Sequence, residues 1–310
     1  MYRSHLEKLL SEGEFVVTAE VTVPRGPDSN LLIERIRILK DHCDAINVTD
    51  NPRGIPRMNN LVSAFFVLRE GVEPILQMTG RDRNRIALQS DLYGAYAIGI
   101  RNILFVTGDH VLFGNQPHTK MVFDVDSTQA LDLTQLLMDG YDLSGEELIE
   151  PPIFLPGATF NPNTSDFSML KERIIQKQKA GAEFFQTQAI YDVRQFRELI
   201  AEIVDENLRI IAGIVPLRSS EMAETMNEKV PGIKIPNTMI DRIKNAEDGL
   251  QDEERELAAK QVGLEIAQET IEDVKRLRGV SGVHIMGIGW EESVPYLVHE
   301  LGLDPRPAKE

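Results

Sequence analysis

Cysteine is almost absent from this sequence of 310 residues, because Cys43 is the only one. A single cysteine cannot form a disulfide within the chain, which excludes a disulfide-stapled scaffold. Cys43 precedes an apolar run within the segment DHCDAINV, a setting that indicates a buried and unreactive thiol. We therefore expect the protein to reside in a reducing compartment.

Long apolar runs and a signal-peptide core are also missing. No segment approaches the ~20 apolar residues that a membrane-spanning helix needs. The first residues, MYRSHLEKLLSEGEF, contain no apolar signal core. We expect a soluble, cytoplasmic protein without a membrane partner.

Basic side chains are fewer than acidic ones. The chain has 33 lysine and arginine residues against 49 aspartate and glutamate residues, a formal net charge of −16. Such a charge repels the phosphates of nucleic acids and of anionic membrane surfaces. We therefore expect no nucleic-acid partner.

No low-complexity tract, charge block or Pro/Gly-rich linker divides the chain, so we expect one domain over residues 1–310. Eight short segments along it have the apolar, β-branched composition of buried strands. The predicted strands are 15–23, 44–49, 73–79, 102–107, 152–158, 183–188, 209–215 and 282–288.

Segments with helical periodicity lie between the predicted strands. Examples are 29–42, 59–71, 127–140, 169–182 and 194–207. Eight strand-helix units favour an α/β fold of the (β/α)8 TIM barrel type over an open doubly wound sheet, and no G-x-G-x-x-G motif follows the first strand. Residues 230–246 add a loop and a helix, an insertion before strand 8.

A carboxylate stands inside the first predicted strand. Glu20 lies in the otherwise apolar segment VVTAEVTV, close to the strand end where barrel active sites assemble. Burial would raise its pKa and keep it protonated near neutrality, ready to donate a proton. A structural ion pair with Arg25 or a lysine explains the residue equally well.

The fourth predicted strand ends in Thr107-Gly108-Asp109. A glycine at this point lets the backbone approach a bound group closely, and ligands of barrel enzymes bind at this end of the strands. The alternative is an ordinary turn in which Asp109 caps a backbone group.

Other polar groups are expected at the same rim of the barrel. They are Thr49, Gln77, residues 157–161, Gln188 and residues 286–290. Gln77 and Gln188 are neutral amides that suit recognition of a heterocycle edge, or that satisfy backbone groups at a strand end. His284 is expected to be a core histidine. The rim has no His-x-His motif, no clustered cysteines and no set of aspartate, glutamate and histidine residues at the spacing of metal ligands, so we expect no catalytic metal.

Several longer motifs follow one another along the chain. They are TAEVTVPRG, NVTDNPRGIPRMNN, QMTGRDRNRIALQSDLYGAYAIGIRNILFVTGD, VFDVDS, FNPN and KAGAEFFQTQAIYD. Together they resemble the methylenetetrahydrofolate reductase family, and the branch with RDRN and LQSDL after strand three is the most similar. The resemblance implies a flavin-bearing (β/α)8 barrel that reduces 5,10-methylenetetrahydrofolate to 5-methyltetrahydrofolate in one-carbon metabolism.

The resemblance also implies roles for individual residues. Glu20 would be the general acid that helps to open the five-membered ring of the substrate. Asp109 would stabilise the resulting 5-iminium cation by charge, and Gln188 would hydrogen-bond the pterin. Met222 and Trp290 occupy further substrate positions. The implied flavin-binding residues are Thr49, Gln77, Thr107, Gly108, Asp109, Asp126, Ser127, Asn161 and Lys177.

The chain departs from the family's pattern at several of these positions. Thr107 stands where the family often has an arginine, which leaves FAD and FMN both open; FAD is favoured, with Lys177 suited to a phosphate. Met222, Met226 and Trp290 replace a glutamine, a phenylalanine and an arginine of some members. These replacements predict poor oxidation of NADH and NADPH and electron delivery by a partner subunit. Association into a homo-oligomer stays open.

Two other classes of function compete with the flavoenzyme. One is a flavin-free pterin-handling barrel, either a methyltransferase or a reductase with direct hydride transfer. The other is a non-catalytic subunit that presents folate to a partner. A flavin absorbance band in the purified protein distinguishes the flavoenzyme from both.

Overall fold

The strands close into a barrel in the order in which they occur in the chain. The computed structural model describes residues 2–203, 208–230 and 232–307. All neighbouring strands are parallel, and β8 pairs with β1. The strands are β1 Val16–Val21, β2 Ala45–Val48, β3 Glu73–Thr79, β4 Asn102–Val106, β5 Leu155–Phe160, β6 Phe184–Ala189, β7 Ile210–Ile214 and β8 Val280–Met286. The predicted (β/α)8 barrel is confirmed.

Helices alternate with these strands. Those in the described part of the chain are α1 His5–Glu12, α2 Ser29–Leu39, α3 Asn60–Arg69, α4 Arg85–Ala97, α5 Ser127–Met138, α6 Phe167–Lys179, α7 Val193–Ile203, α8 Ser220–Lys229, α9 Asn237–Glu247, α10 Asp252–Lys275 and α11 Ser293–Glu300. The helix α9 corresponds to the predicted loop and helix at 230–246, inserted before α10 and β8. Residues 204–207 of the predicted helical segment 194–207 lie outside the described residues. None of the described helices has the length and apolarity to cross a membrane.

Capping side chains set where many of the helices begin. Asp28, Asn59, Asn84, Asp126 and Asp166 each accept a hydrogen bond from a backbone N–H in the first turn of the helix that follows. Such caps satisfy donors that have no partner within the helix. Because each cap ends a strand-to-helix loop, the caps also limit the loops at the carboxyl end of the barrel.

The lowest layer of the barrel interior is apolar. Alternate residues of each strand point inward, so the interior is filled in layers. Leucines of α1 pack against the first inward residues of the strands and plug the amino-terminal end. This cluster consists of Leu6, Leu9, Leu10, Val16, Ala45, Ile75, Leu104, Leu155, Phe184 and Ile211.

A polar layer lies directly above the apolar one. The Asn47 amide donates to Gln186 Oε1 at 2.6 Å, and the Gln186 amide donates back at 3.1 Å. Thr18 Oγ1 lies 2.9 Å from His284 Nδ1. Burial lowers the pKa of His284 to about 3, so the imidazole is neutral. His284 is thus a buried, hydrogen-bonded core residue, as expected.

Two strands are displaced from their predicted bounds. β5 starts at Leu155, three residues later than predicted, because its pairing with β4 begins at Asn102. The prediction that Gly157 lies at the rim is therefore wrong. A Cβ at Gly157 would lie 2.3 Å from the Phe184 ring, so glycine leaves room for that ring inside the barrel. β8 ends at Met286, two residues earlier than predicted.

The plug at the base of the barrel predicts a large effect of truncating Leu6, which is fully buried. We expect Leu6→Ala to lower the free energy of unfolding by about 2–5 kcal/mol, because a cavity replaces packed methyl groups. Urea denaturation measures the change. Leu31→Ala, at a site 36% exposed on α2, is the control, and an equally small loss in both variants would contradict the role of α1.

Candidate active site

A cavity of about 700 Å³ opens at the carboxyl ends of the strands. It lies above the polar layer, and its size suits a cofactor or a small substrate. Many of the residues expected at the site come together on its wall. These are Glu20, Gln77, Thr107, Gly108, Asp109, Asn161, Lys177 and Gln188.

Glu20 enters the cavity from the end of β1. Its carboxylate forms no ion pair and no hydrogen bond with the residues that the structure describes, so the alternative of a structural pair with Arg25 or a lysine is not observed there. Burial raises the pKa of Glu20 to about 7; the charge of Arg57 opposes this rise and that of Glu291 adds to it. A substantial fraction of Glu20 is therefore protonated near neutral pH and able to donate a proton.

Asp109 is the last residue of the Thr107-Gly108-Asp109 turn that follows β4. Its Oδ2 accepts the backbone N–H of Arg53 at 2.8 Å, while its side chain stays exposed on the cavity wall. Gly108 has a φ of +93°, and a Cβ there would lie 3.0 Å from the Cβ of Arg81. The turn thus requires glycine. Asp109 fits both sequence interpretations, since it lines the cavity and also binds a backbone N–H.

Arg81, the first residue of the RDRN motif, joins the loops around Asp109. It is 1% exposed. Its guanidinium donates to the carbonyl of Asp109 at 3.2 Å, to the carbonyl of Asn51 at 3.0 Å and to Asp82 Oδ1 at 2.8 Å. Sequence reasoning missed this role because it used the motif only as a mark of resemblance.

Arg83, two residues further on, anchors the loop after β2. Asp50 lines the cavity and accepts the backbone N–H of Thr79 at 2.8 Å and the Thr79 hydroxyl at 2.9 Å. The Arg83 guanidinium also bonds Asp50 and reaches Asp91 at 2.8 Å and Asn60 at 3.1 Å. Asp50 was another residue that sequence analysis did not select.

An irregularity in β6 lies where three consecutive residues, Gln186, Thr187 and Gln188, line the cavity. Gln186 pairs with Ile211 but Ala189 pairs with Gly213, so β6 contains one extra residue. A bulge of this kind redirects side chains, and both Thr187 and Gln188 line the cavity. Gln188 Oε1 accepts the N–H of Ala189 at 2.9 Å, which leaves its amide NH2 group to donate to a ligand.

Two cations line the side of the cavity formed by α6. Lys177 Nζ donates to the carbonyl of Thr159 at 2.8 Å, and Arg173 lies on the same wall. Burial lowers the pKa of Lys177, the charge of Asp126 opposes this, and Arg173 adds to the lowering. Within the described residues, no group of histidine, cysteine and carboxylate side chains is arranged to hold a metal ion. The pair of cations suits an anionic group such as a phosphate.

Three residues expected at the flavin do not line this cavity. Thr49 is buried immediately after β2. Asp126 caps α5 by accepting the N–H groups of Thr128 and Gln129, each at 2.8 Å. Ser127 is the buried first residue of the same helix. The charge of Asp126 still acts on the site, because it raises the pKa of Lys177.

The expected substrate residues Met222 and Trp290 also lie away from the cavity wall. Met222 and Met226, both on α8, pack in the apolar cluster that α8 shares with α9 and α10. Trp290 packs against the main core, with the ammonium group of Lys260 5.5 Å from the centre of its ring. The methionine pair therefore serves packing in this structure.

The fold and the cavity define a (β/α)8 barrel with a polar ligand site at the carboxyl ends of its strands. The family model described as methylenetetrahydrofolate reductase matches residues 5–302. The chain belongs to the methylenetetrahydrofolate reductase family.

Individual relatives agree with this membership. The 5,10-methylenetetrahydrofolate reductase of Pectobacterium carotovorum is 25% identical over 317 residues, covering 99% of this chain and 97% of the relative. Methylenetetrahydrofolate reductase 2 of Schizosaccharomyces pombe is 25% identical over 240 residues, which cover 74% of this chain and 35% of that longer protein.

A solved structure supports the fold. It is an uncharacterised protein from Clostridium thermocellum, described as binding two copies of 5-methyl-5,6,7,8-tetrahydrofolic acid. The TM-score is 0.64 at 16% sequence identity, covering 96% of this chain and 100% of that one. At this identity the likeness concerns the fold of the two chains.

The contacts of Arg81 predict that its loss loosens the loops at the cavity. We expect Arg81→Met to speed amide hydrogen exchange in residues 51–54 and 107–110 by about tenfold or more, since buried charged hydrogen bonds are removed. Mass spectrometry of exchanged peptides measures this. Arg85→Met, which removes an exposed pair with Asp124, should leave both loops unchanged; equal rates in wild type and Arg81→Met would contradict the assignment.

Proposed function

We propose that the chain reduces 5,10-methylenetetrahydrofolate to 5-methyltetrahydrofolate with the aid of a bound flavin. Membership of the methylenetetrahydrofolate reductase family supports this reaction class. The observation that carries the proposal is Glu20, a carboxyl group without an ion partner among the described residues, on the wall of a polar cavity, with a pKa of about 7.

Glu20 acts as the general acid. Opening the five-membered ring breaks a C–N bond, and the departing nitrogen requires a proton that the neutral carboxyl group of Glu20 can donate. The other nitrogen then carries the positive charge of an iminium cation. Asp109, whose carboxylate is exposed on the cavity wall, stabilises that charge. A bound flavin would supply the hydride that converts the iminium carbon into a methyl group.

The polar wall provides groups to hold both ligands. Lys177 and Arg173 suit flavin phosphate, and Arg173 supplies a second cation in a chain that has threonine at position 107. Two cations support the dinucleotide FAD over FMN. Gln77 offers an amide to the flavin, and the NH2 group of Gln188 can donate to the pterin.

The electron donor is proposed to be a partner subunit instead of a nicotinamide. A nicotinamide ring needs a flat surface that holds it at hydride-transfer distance from the flavin. Met222, Met226 and Trp290 pack into the protein and present no such surface to the cavity. This packing supports poor oxidation of NADH and NADPH by the chain alone.

Folate binding without flavin chemistry is the competing function. It is favoured by the likeness in fold to the Clostridium thermocellum protein described as binding 5-methyl-5,6,7,8-tetrahydrofolic acid. A purified protein that binds methyltetrahydrofolate yet neither retains nor takes up a flavin would support this alternative.

The cations on α6 predict how flavin affinity responds to substitution. We expect Lys177→Gln and Arg173→Gln each to weaken FAD binding by about tenfold or more, because each removes a charge-assisted contact to phosphate. Quenching of flavin fluorescence measures the affinity. Lys179→Gln, at the exposed end of the same helix, is the matched control, and equal affinities in all variants would place the phosphate elsewhere.

The role of Glu20 predicts a separation of the two half-reactions. We expect Glu20→Gln to lower folate reduction by about a hundredfold to ten-thousandfold, because the amide keeps the shape but cannot donate the proton. Flavin affinity and flavin reduction by a viologen dye should persist. Glu14→Gln, at an exposed position before β1, should behave like the wild type.

The pKa of Glu20 also sets the pH dependence of this step. Its raised pKa, about 7, keeps the acid form dominant below neutrality, so folate reduction in the wild type should fall as pH rises through about 7. Rates of single-turnover folate reduction across this range measure the effect. A Glu20→Gln variant with the wild-type rate below pH 7, where Glu20 is protonated in the wild type, would overturn the proposed role.

A further inference from the structure

Thr22, the residue immediately after β1, has every polar group engaged by other elements. Its N–H donates to Glu291 Oε1 at 3.0 Å, its carbonyl accepts from the Arg35 guanidinium at 2.6 Å, and its hydroxyl accepts the N–H of Gly289 at 2.8 Å. Arg35 belongs to α2, while Gly289 and Glu291 belong to the loop after β8. The end of the strand that carries Glu20 is therefore tied to two neighbouring elements.

The loop after β8 is itself constrained. Ile288 has a φ of +51°, a left-handed conformation that is unusual for a β-branched residue. Glu291 is 4% exposed, and its nearest cation, Arg35, lies 3.8 Å away. Burial of a carboxylate in such a loop costs free energy unless its contacts compensate, which suggests that Glu291 has a specific role there.

We propose that Glu291 is a positioning residue for Glu20, which anchors the end of β1 through Thr22 and places a second carboxylate beside the general acid. This inference rests on the proposed role of Glu20 in proton donation. The hydrogen bond to Thr22, two residues after Glu20, is the contact through which Glu291 acts on position.

Charges of opposite sign act on Glu20 from the loops that follow the two strands flanking β1. Arg57, in the loop after β2, lowers the pKa of Glu20, whereas Glu291, in the loop after β8, raises it. His284 on β8 is neutral. Arg57 is held by its bond to the carbonyl of Val23 at 2.6 Å, and its buried Nε has no partner among the described residues.

Burial is the main reason why an acid form of Glu20 persists near a guanidinium, and the charge of Glu291 adds to it. A nearby positive charge favours the ionised form of a carboxyl group and so opposes retention of the proton that the reaction needs. The negative charge of Glu291 offsets Arg57. Removing it should leave the charge of Arg57 without this offset and shift the titration of Glu20 to lower pH, although burial still raises its pKa.

The test compares the titration of Glu20 in the full-length wild type and in Glu291→Gln, which keeps the shape and can still accept from Thr22. Carbon NMR of protein labelled at glutamate carboxyl carbons follows the titration without substrate, and Glu20→Gln assigns the signal. We expect a lower midpoint in Glu291→Gln and a higher midpoint in Arg57→Gln. The ratio of folate-reduction rates at pH 8 and pH 6 should fall by about twofold or more in Glu291→Gln.

Matched variants separate charge from structure. Thr22→Val keeps the N–H to Glu291 and every charge but removes the hydroxyl bond to Gly289, so its midpoint should equal that of the wild type. Glu291→Met, of similar size and uncharged, should shift the midpoint in the same direction as Glu291→Gln and serves if the glutamine variant is unstable.

Each outcome bears on one proposal. An unchanged midpoint in the uncharged Glu291 variants, or an equal shift in Thr22→Val, overturns the role of Glu291 even when Glu20→Gln abolishes folate reduction. Wild-type reduction by Glu20→Gln overturns the proposed function instead, and the titration still reports whether Glu291 acts on Glu20.

Discussion

Closure of the barrel leaves one narrow interior, and the hydrogen-bonded layer of Thr18, Asn47, Gln186 and His284 divides it. Below this layer the interior is apolar and plugged by α1. Above it, inward residues of the same strands face the cavity, because side chains alternate with a period of two. Buried polar groups in the layer have partners, which avoids the large cost of unsatisfied donors. The position of Glu20, one inward step above Thr18, follows from this layering.

The loops around the cavity depend on a second set of buried groups. Arg81 and Arg83 bond backbone carbonyls and carboxylates of the loops after β2, β3 and β4. Guanidinium groups suit this task because they donate several hydrogen bonds in fixed directions. Asp50 and Asp109 are thereby held on the cavity wall, although they lie on loops and not on strands. The precision that a site requires is supplied here by arginines that do not themselves need to touch a ligand.

Local charge at the cavity differs from the charge of the whole chain. The net charge of −16 would repel anionic ligands at long range. Lys177 and Arg173 concentrate positive charge on one wall, while Glu20 stands on another and is kept partly neutral by burial. A site of this kind can hold an anionic phosphate and also donate a proton at neutral pH. The two functions are compatible because they use different walls.

Hydrophobic periodicity by itself determined the alternation of strands and helices and the barrel, and the exceptions to that periodicity marked Glu20 and the TGD turn. These features are local, since a strand buried on both faces and a carboxylate within it are visible in a short segment. Tertiary structure decided which residues meet at the cavity. Arg173 and Thr187 join it through helix orientation and a bulge, whereas Met222 and Trp290 pack elsewhere. Whether a residue lines the cavity depends on strand register and on contacts between residues distant in sequence, which local sequence patterns do not encode.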